Sequence, residues 1–396
     1  MIFWFSCTPV VYQKGILLEE GVSTANDFSI EGGLYYPDLR EIGHFTWRKD
    51  IDGENGSRCS YARENCLENP LGAWGIEVQA LDQTGKKEDS AYVRHDGSYS
   101  LSVHNDGVYR VVFFLSHCTQ DVCFQFENDQ GIYALEHPIQ PSIEQGKGII
   151  LPNLLFQPEG FDAGEPNNHA HSANHFASLM ELTFIWHGLG GASFFTDDFA
   201  PLSIIVPTSL DTFGRTTGPS TVHIPENTTG WIKGNKIMHE YGHVLSLRAW
   251  GGSYWFDGEP FANWSATSPQ EPHIAFKEGF ANFVARSSET KHGCTGNFDN
   301  PVMLGQVEDG WLYPRNITKF LCDIYDHHEN GDEQIHHSPS FFMDILEEIL
   351  IVSKETGNKE LSICTLIETW TQREMISTEV HEEIYTIGMN NNIFCF

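Results

Sequence analysis

Three side chains in the run Ile237-Met238-His239-Glu240-Tyr241-Gly242-His243-Val244-Leu245 could do metal chemistry at the spacing in which they stand. A helix advances about 100° per residue, so His239 and His243 lie one turn apart on one face. Two imidazoles so placed can grip one Zn²⁺. Glu240 is offset by one position, beside such a metal, where a carboxylate can hold a water. Ile237, Met238, Val244 and Leu245 predict that the helix is buried, and Gly242 that a neighbour approaches it closely. Chance yields His-Glu-x-x-His in a chain of this composition on the order of a few per cent of the time. The rival meaning is a helix that carries two histidines and no metal.

A catalytic zinc takes three protein ligands and keeps one position open. A metzincin would continue with a glycine and a histidine after His243, but Ser246 and Ala249 stand there. Further on, "AFKEGFANFVA" has Phe276, Phe280 and Phe283 at helical spacing, with Glu278 among them. A carboxylate in a buried helix is costly unless it is paired or bound to a metal. Glu278 is thus a candidate third ligand; a partnership with Lys277 or Arg286, or an exposed face, is the other reading. Glu259 and Glu271 precede prolines and belong to loops.

With "IMHEYGHVL" and "FKEGFANFVA" the chain resembles the gluzincin metallopeptidases. The resemblance implies His239, His243 and Glu278 as zinc ligands and Glu240 as the catalytic base. Asn282 stands where several gluzincins carry an aspartate that orients a ligand histidine. The implied activity is zinc-dependent hydrolysis of peptide bonds, with Glu240 taking the proton of the attacking water. It also implies a peptide or protein substrate and an edge strand along the cleft, here "STVHIP". An oxyanion-stabilising Tyr or His should follow Glu278, with Tyr313, Tyr325, His336 and His337 as candidates. The alternative function is an extracellular binding or adhesion protein whose peptidase-like domain is silent; intact His239, Glu240, His243 and Glu278 argue against it.

These residues need a frame. The 396 residues suggest two domains, and 40% apolar content with 13% aromatics is ample for packed cores. A net charge of −31 repels a phosphate backbone and argues against nucleic acid. No apolar run is long enough for a membrane span. Nine cysteines without a CxxC pair suggest disulfides and an extracytoplasmic compartment. The expected pairs are Cys59–Cys66, Cys118–Cys123, Cys294–Cys322 and Cys364–Cys395. "MIFWFSCTPV" reads as the remnant of a signal peptide, with Cys7 a candidate lipid-attachment site. Asn227, Asn263 and Asn316 open glycosylation sequons.

From about residue 28 to 158 the rhythm is that of strands. "GAWGIEVQAL" alternates, and turns at Asp82–Gly85, Asp96-Gly97 and Asp106-Gly107 separate "AYVR", "SYSLSV" and "VYRVVFFL". "CTQDVCFQFEN" suggests a hairpin clamped by Cys118 and Cys123. The run "PLGAWGIEVQALDQTG" with "HDGSYSLSVHNDGVYRVVFF" resembles the transthyretin-like, or carboxypeptidase-regulatory-like, β-sandwich. That likeness implies a supporting or adhesive module.

After Pro166 the spacing becomes helical. His169, His171, His175 and His187 are expected on a polar face. "LSIIVP" and "STVHIP" read as strands and the remainder as mostly helical. Asp323, Asp326, Asn330 and Asp332 echo a calcium loop, with His337 where a bidentate glutamate belongs, so Ca²⁺ is a second candidate ion beside Zn²⁺. The architecture expected is a leader (1–27), an all-β sandwich (28–158) and an α+β, mostly helical zincin-like domain (165–396).

Overall fold

Aspartate and glycine place the turns of the N-terminal half. Asp82 Oδ1 accepts the backbone N–H groups of Thr84 and Lys86 at 2.8 and 2.9 Å, and Gly85 takes φ 83°. Asp96 Oδ1 accepts the Ser98 N–H at 2.9 Å, with Gly97 at φ 87°. Glycine is suited to these left-handed positions because it lacks a Cβ. The computed structural model describes residues 10–13, 15–19, 21–37, 70–119, 122–128, 131–156, 169–188, 201–208, 214–225, 234–250, 267–287, 294, 310–325, 337–356, 361–372 and 378–395.

Strands in the N-terminal part form two large sheets, and the C-terminal part is helical. In the seven-stranded sheet, Ser29–Tyr36 pairs with Ser98–Ser102, Lys147–Ile150 and Leu154–Phe156. The ten-stranded sheet contains Glu77–Leu81, Lys87–Tyr92, Arg110–Phe114, Cys123–Asn128 and Gly131–Glu136. Ile30, Leu34, Leu101, Val78, Val111 and Phe113 are all but inaccessible, and Tyr99 of one sheet meets Phe113 of the other edge-on at 5.2 Å. The expected hairpin is present, with Cys118 directly opposite Cys123 and the two joined.

Two features differ from the sequence expectation. Residues 10–27, assigned to a leader, supply three strands. Val10–Gln13 lies parallel to Gly131–Glu136, Gly15–Leu17 antiparallel to Leu154–Phe156, and Ser23–Asp27 antiparallel to Lys147–Ile150. Each satisfies backbone groups along the strand it joins. Second, Leu202–Thr208 pairs in parallel with Cys123–Asn128, matching Phe124 to Leu202 and Phe126 to Ile204. One sheet therefore runs across the expected boundary between 158 and 165, from Lys87–Tyr92 to Arg215–Thr216.

The α-helices among the described residues are α1 (His169–Thr183), α2 (Gly234–Ala249), α3 (Pro272–Ser287), α4 (Pro314–Tyr325), α5 (Pro339–Thr356), α6 (Ile363–Gln372) and α7 (Thr378–Asn390). A π-helical turn, Phe184–Gly188, extends α1. Phe176 of α1 packs on Phe124 and Phe126 at ring distances of 5.2 and 5.6 Å, seating the helix on the ten-stranded sheet. His175 is therefore buried rather than on a polar face, because α1 is covered by this sheet and by α2. The side chains of His169, His171 and His187 lie outside the described residues.

Disulfides join Cys294 to Cys322 and Cys364 to Cys395, as the spacing suggested. With Cys118–Cys123 these fit an oxidising compartment. Cys7, Cys59 and Cys66 lie outside the described residues. No helix among the described residues is long and apolar enough to cross a membrane.

Candidate metal centre

Helix α2 is held by its apolar residues: Ile237, Met238, Val244 and Leu245 are wholly buried. Between them Gly242 faces α3, where a Cβ would lie 2.7 Å from Ala281 Cα and 3.1 Å from Val284 Cβ. Only a glycine leaves room for that approach. Phe276, Phe280 and Phe283 anchor α3 from within the core, and Trp186 donates from Nε1 to Ser287 Oγ at 2.8 Å near its end. The close crossing sets Glu278 against the histidines of α2.

His239 Nε2 and His243 Nε2 stand 3.1 Å apart, and Glu278 Oε2 lies 3.2 Å from the first and 3.5 Å from the second. His243 and Glu278 are buried; His239 is partly so. His239 Nδ1 is 3.1 Å from Asn282 Oδ1, one turn after Glu278. An Nδ1–H donated to that amide oxygen leaves the Nε2 lone pair directed at the other two groups.

Charge follows from this placement. Burial opposes the cationic form of His239, but the hydrogen bond and charge of Glu278, then the charge of Glu240 and the contact with Asn282, raise its pKa above the ordinary value. Burial alone would raise that of Glu278. The charge of His243 and the contacts with both imidazoles outweigh it and hold the carboxyl well below the usual range. Its Oε2 is buried and faces both imidazole Nε2 atoms. A buried carboxylate oxygen converging with two imidazole nitrogens can hold a metal ion. Two histidines and one glutamate also form a known donor set for catalytic zinc.

Glu240 stands beside this centre and is buried. Its Oε2 accepts a hydrogen bond from Thr216 Oγ1 at 2.7 Å. The same hydroxyl is 3.0 Å from the Glu240 carbonyl oxygen. Gly214 lies against the carboxylate, and a Cβ there would be 2.8 Å from Oε1. The sequence offered little to identify Thr216 or Gly214, which sit in a short polar run, "FGRTTG".

The strand expected along the cleft is displaced by one position. Thr221–Pro225 has Leu202–Thr208 on one side and Arg215–Thr216 on the other. The described sheet ends at Arg215–Thr216, which brings Thr216 to Glu240.

Tyr313 is buried at the start of α4, Tyr325 meets Phe283 edge-on at 5.7 Å, and His337 stacks on Phe341 at 3.6 Å. His336 lies outside the described residues. Asp323 is inside α4, accepting from Lys319 Nζ at 3.0 Å and Asn391 Nδ2 at 2.7 Å. It is thus engaged in helix packing, while Asp326, Asn330 and Asp332 lie outside the described residues. Asn316 is buried, so its sequon is not a surface site; Asn227 and Asn263 fall outside the described residues. No protein-family model matches the chain, and no curated protein matches it.

Proposed function

We propose that the protein is an extracytoplasmic zinc metallopeptidase of gluzincin type. The supporting observation is the convergence of His239 Nε2, His243 Nε2 and Glu278 Oε2, with the Glu240 carboxylate beside them. In this reading His239, His243 and Glu278 hold the metal and Asn282 orients His239. Bound zinc supplies Lewis acidity, which makes water nucleophilic near neutral pH and polarises a carbonyl.

The rest of the chemistry belongs to the chain. Glu240 accepts the proton of the attacking water and passes it to the leaving amine, the work of a general base that becomes a general acid. Burial of the carboxylate limits competing water, and Thr216 fixes one of its oxygens. Peptide is the substrate class that the gluzincin resemblance implies.

The test is digestion of a diverse peptide mixture, read by mass spectrometry, with wild type beside Glu240→Gln. Cleavage by wild type and its loss in the variant are expected. A zinc-loaded wild type that cleaves nothing would remove the peptidase reading and leave a different substrate or a binding role.

A further inference from the structure

We propose that Thr216 is the positioning residue of the Glu240 carboxylate, and that Gly214 keeps open the space occupied by its second oxygen. The inference rests on the hydrolase reading above, which gives Glu240 the proton to move. It assigns the orientation of that group to a sheet edge remote in sequence from α2.

The Thr216 hydroxyl carries one proton and has two acceptors within reach, Glu240 Oε2 at 2.7 Å and the Glu240 carbonyl at 3.0 Å. The shorter bond, to an anionic oxygen, is the stronger. Thr216 is fixed in turn: its residue pairs with Val222 in the sheet, and a β-branched side chain has restricted χ1. A glutamate on a helix otherwise has several rotors, so one rigid donor decides where its carboxylate points.

Gly214 supplies an independent observation. Its φ lies outside the left-handed region, so the backbone does not demand glycine there. The reason lies with Glu240: a Cβ at 214 would meet Oε1 at 2.8 Å, Cγ at 3.0 Å and Cδ at 3.3 Å. Thr216 holds one oxygen and Gly214 makes way for the other. An alanine at 214 would displace the flexible carboxylate rather than the fold.

The experiment compares wild type with Thr216→Val, Thr216→Ser and Gly214→Ala by zinc content, crystal structure and peptide kinetics. All four should bind one zinc per chain. Thr216→Val and Gly214→Ala should lower kcat roughly 10- to 100-fold with KM within about twofold, the scale of a misaligned catalytic group. Thr216→Ser should stay within about threefold of wild type, because the donor is kept. In the crystals the Glu240 carboxylate should leave its wild-type position in Thr216→Val and Gly214→Ala and keep it in Thr216→Ser.

A Thr216→Val enzyme with wild-type kcat, or with the carboxylate unmoved, would overturn the proposal. So would a Thr216→Ser variant as impaired as Thr216→Val. Should Thr216→Val fail to fold, Gly214→Ala decides by the same readings. If zinc-loaded wild type cleaves no peptide, the hydrolase reading falls, and the crystal positions alone still support or overturn the role of Thr216.

Discussion

His239 Nδ1 and Asn282 Oδ1 lie 3.1 Å apart, joining the first histidine of α2 to α3 one turn beyond Glu278. The contact selects the tautomer whose Nε2 lone pair points toward His243 and Glu278. Removing such an orienting partner typically costs about 10- to 100-fold in metal affinity. Asn282→Leu is therefore expected to weaken zinc binding by that factor, and Asn282→Asp to keep or tighten it. Competition with a chelator of known affinity measures both. Equal affinity in Asn282→Leu and wild type would deny Asn282 an orienting role.

Gly242 predicts a linked loss of stability and metal. An alanine there sets a methyl 2.7 Å from Ala281 Cα, which is backbone and cannot swing aside. Overpacking of this kind costs about 1–3 kcal/mol. Gly242→Ala should lower the denaturation midpoint in the presence of EDTA, and should also bind zinc less tightly because α3 carries Glu278. A variant with altered stability and unchanged zinc affinity would show that the crossing does not set the ligand geometry.

Metal removal should be visible in stability. A ligand at 100 times its Kd stabilises the folded state by about 2.7 kcal/mol. EDTA should lower the melting temperature of wild type, zinc should restore it, and Glu278→Gln should be nearly insensitive to both. The pH dependence has a definite sign. Burial resists a charge on His239, but Glu278 raises its pKa above 6.5, so in metal-free protein a proton occupies that ring up to a higher pH than in a free histidine. Protons and metal compete for the site, and zinc affinity should fall as pH drops through that raised value. Titrations at pH 8 and pH 6 check this; a tighter site at pH 6 would contradict it.

Asn316 should carry no glycan. Its Nδ2 donates to the Gly310 carbonyl at 3.1 Å, and the Thr318 hydroxyl of the same sequon lies 3.0 Å from the Gly279 carbonyl. Peptide mapping of protein secreted from a glycosylating host should find Asn316 unmodified. Asn316→Ala should cost about 0.5–1.5 kcal/mol, the net worth of one hydrogen bond, because the Gly310 carbonyl still accepts from the Tyr313 N–H at 3.2 Å. Occupancy by sugar in the folded protein would show that the start of α4 opens.

The legible parts were those fixed by local chemistry. Asp82 with Gly85 and Asp96 with Gly97 mark turns because they satisfy their own backbone, and Cys118 with Cys123 brackets a hairpin within a few residues. His239, His243 and Glu278 could be singled out because helical spacing and phenylalanine burial constrain them from short stretches of chain. They meet where α2 crosses α3 at Gly242, whose need for a close neighbour was also readable. What was hidden is non-local. Parallel pairing of Phe124–Glu127 with Leu202–Ile205 leaves no mark in either strand alone, and neither does the pairing of Val10–Gln13 with Ile132–Leu135. Arg215–Thr216 is too short and polar to announce a strand, so the contact of Thr216 with Glu240 emerged only from the folded chain.

The most direct test of the central claim is a crystal structure of zinc-soaked protein with anomalous data on both sides of the zinc edge. The account predicts one anomalous peak, with His239 Nε2 and His243 Nε2 at about 2.0–2.1 Å and a Glu278 oxygen at about 2.0–2.2 Å, Glu240 being close by but not bound. A zinc elsewhere, or a His239–His243–Glu278 cluster that stays metal-free at saturating zinc, would contradict it.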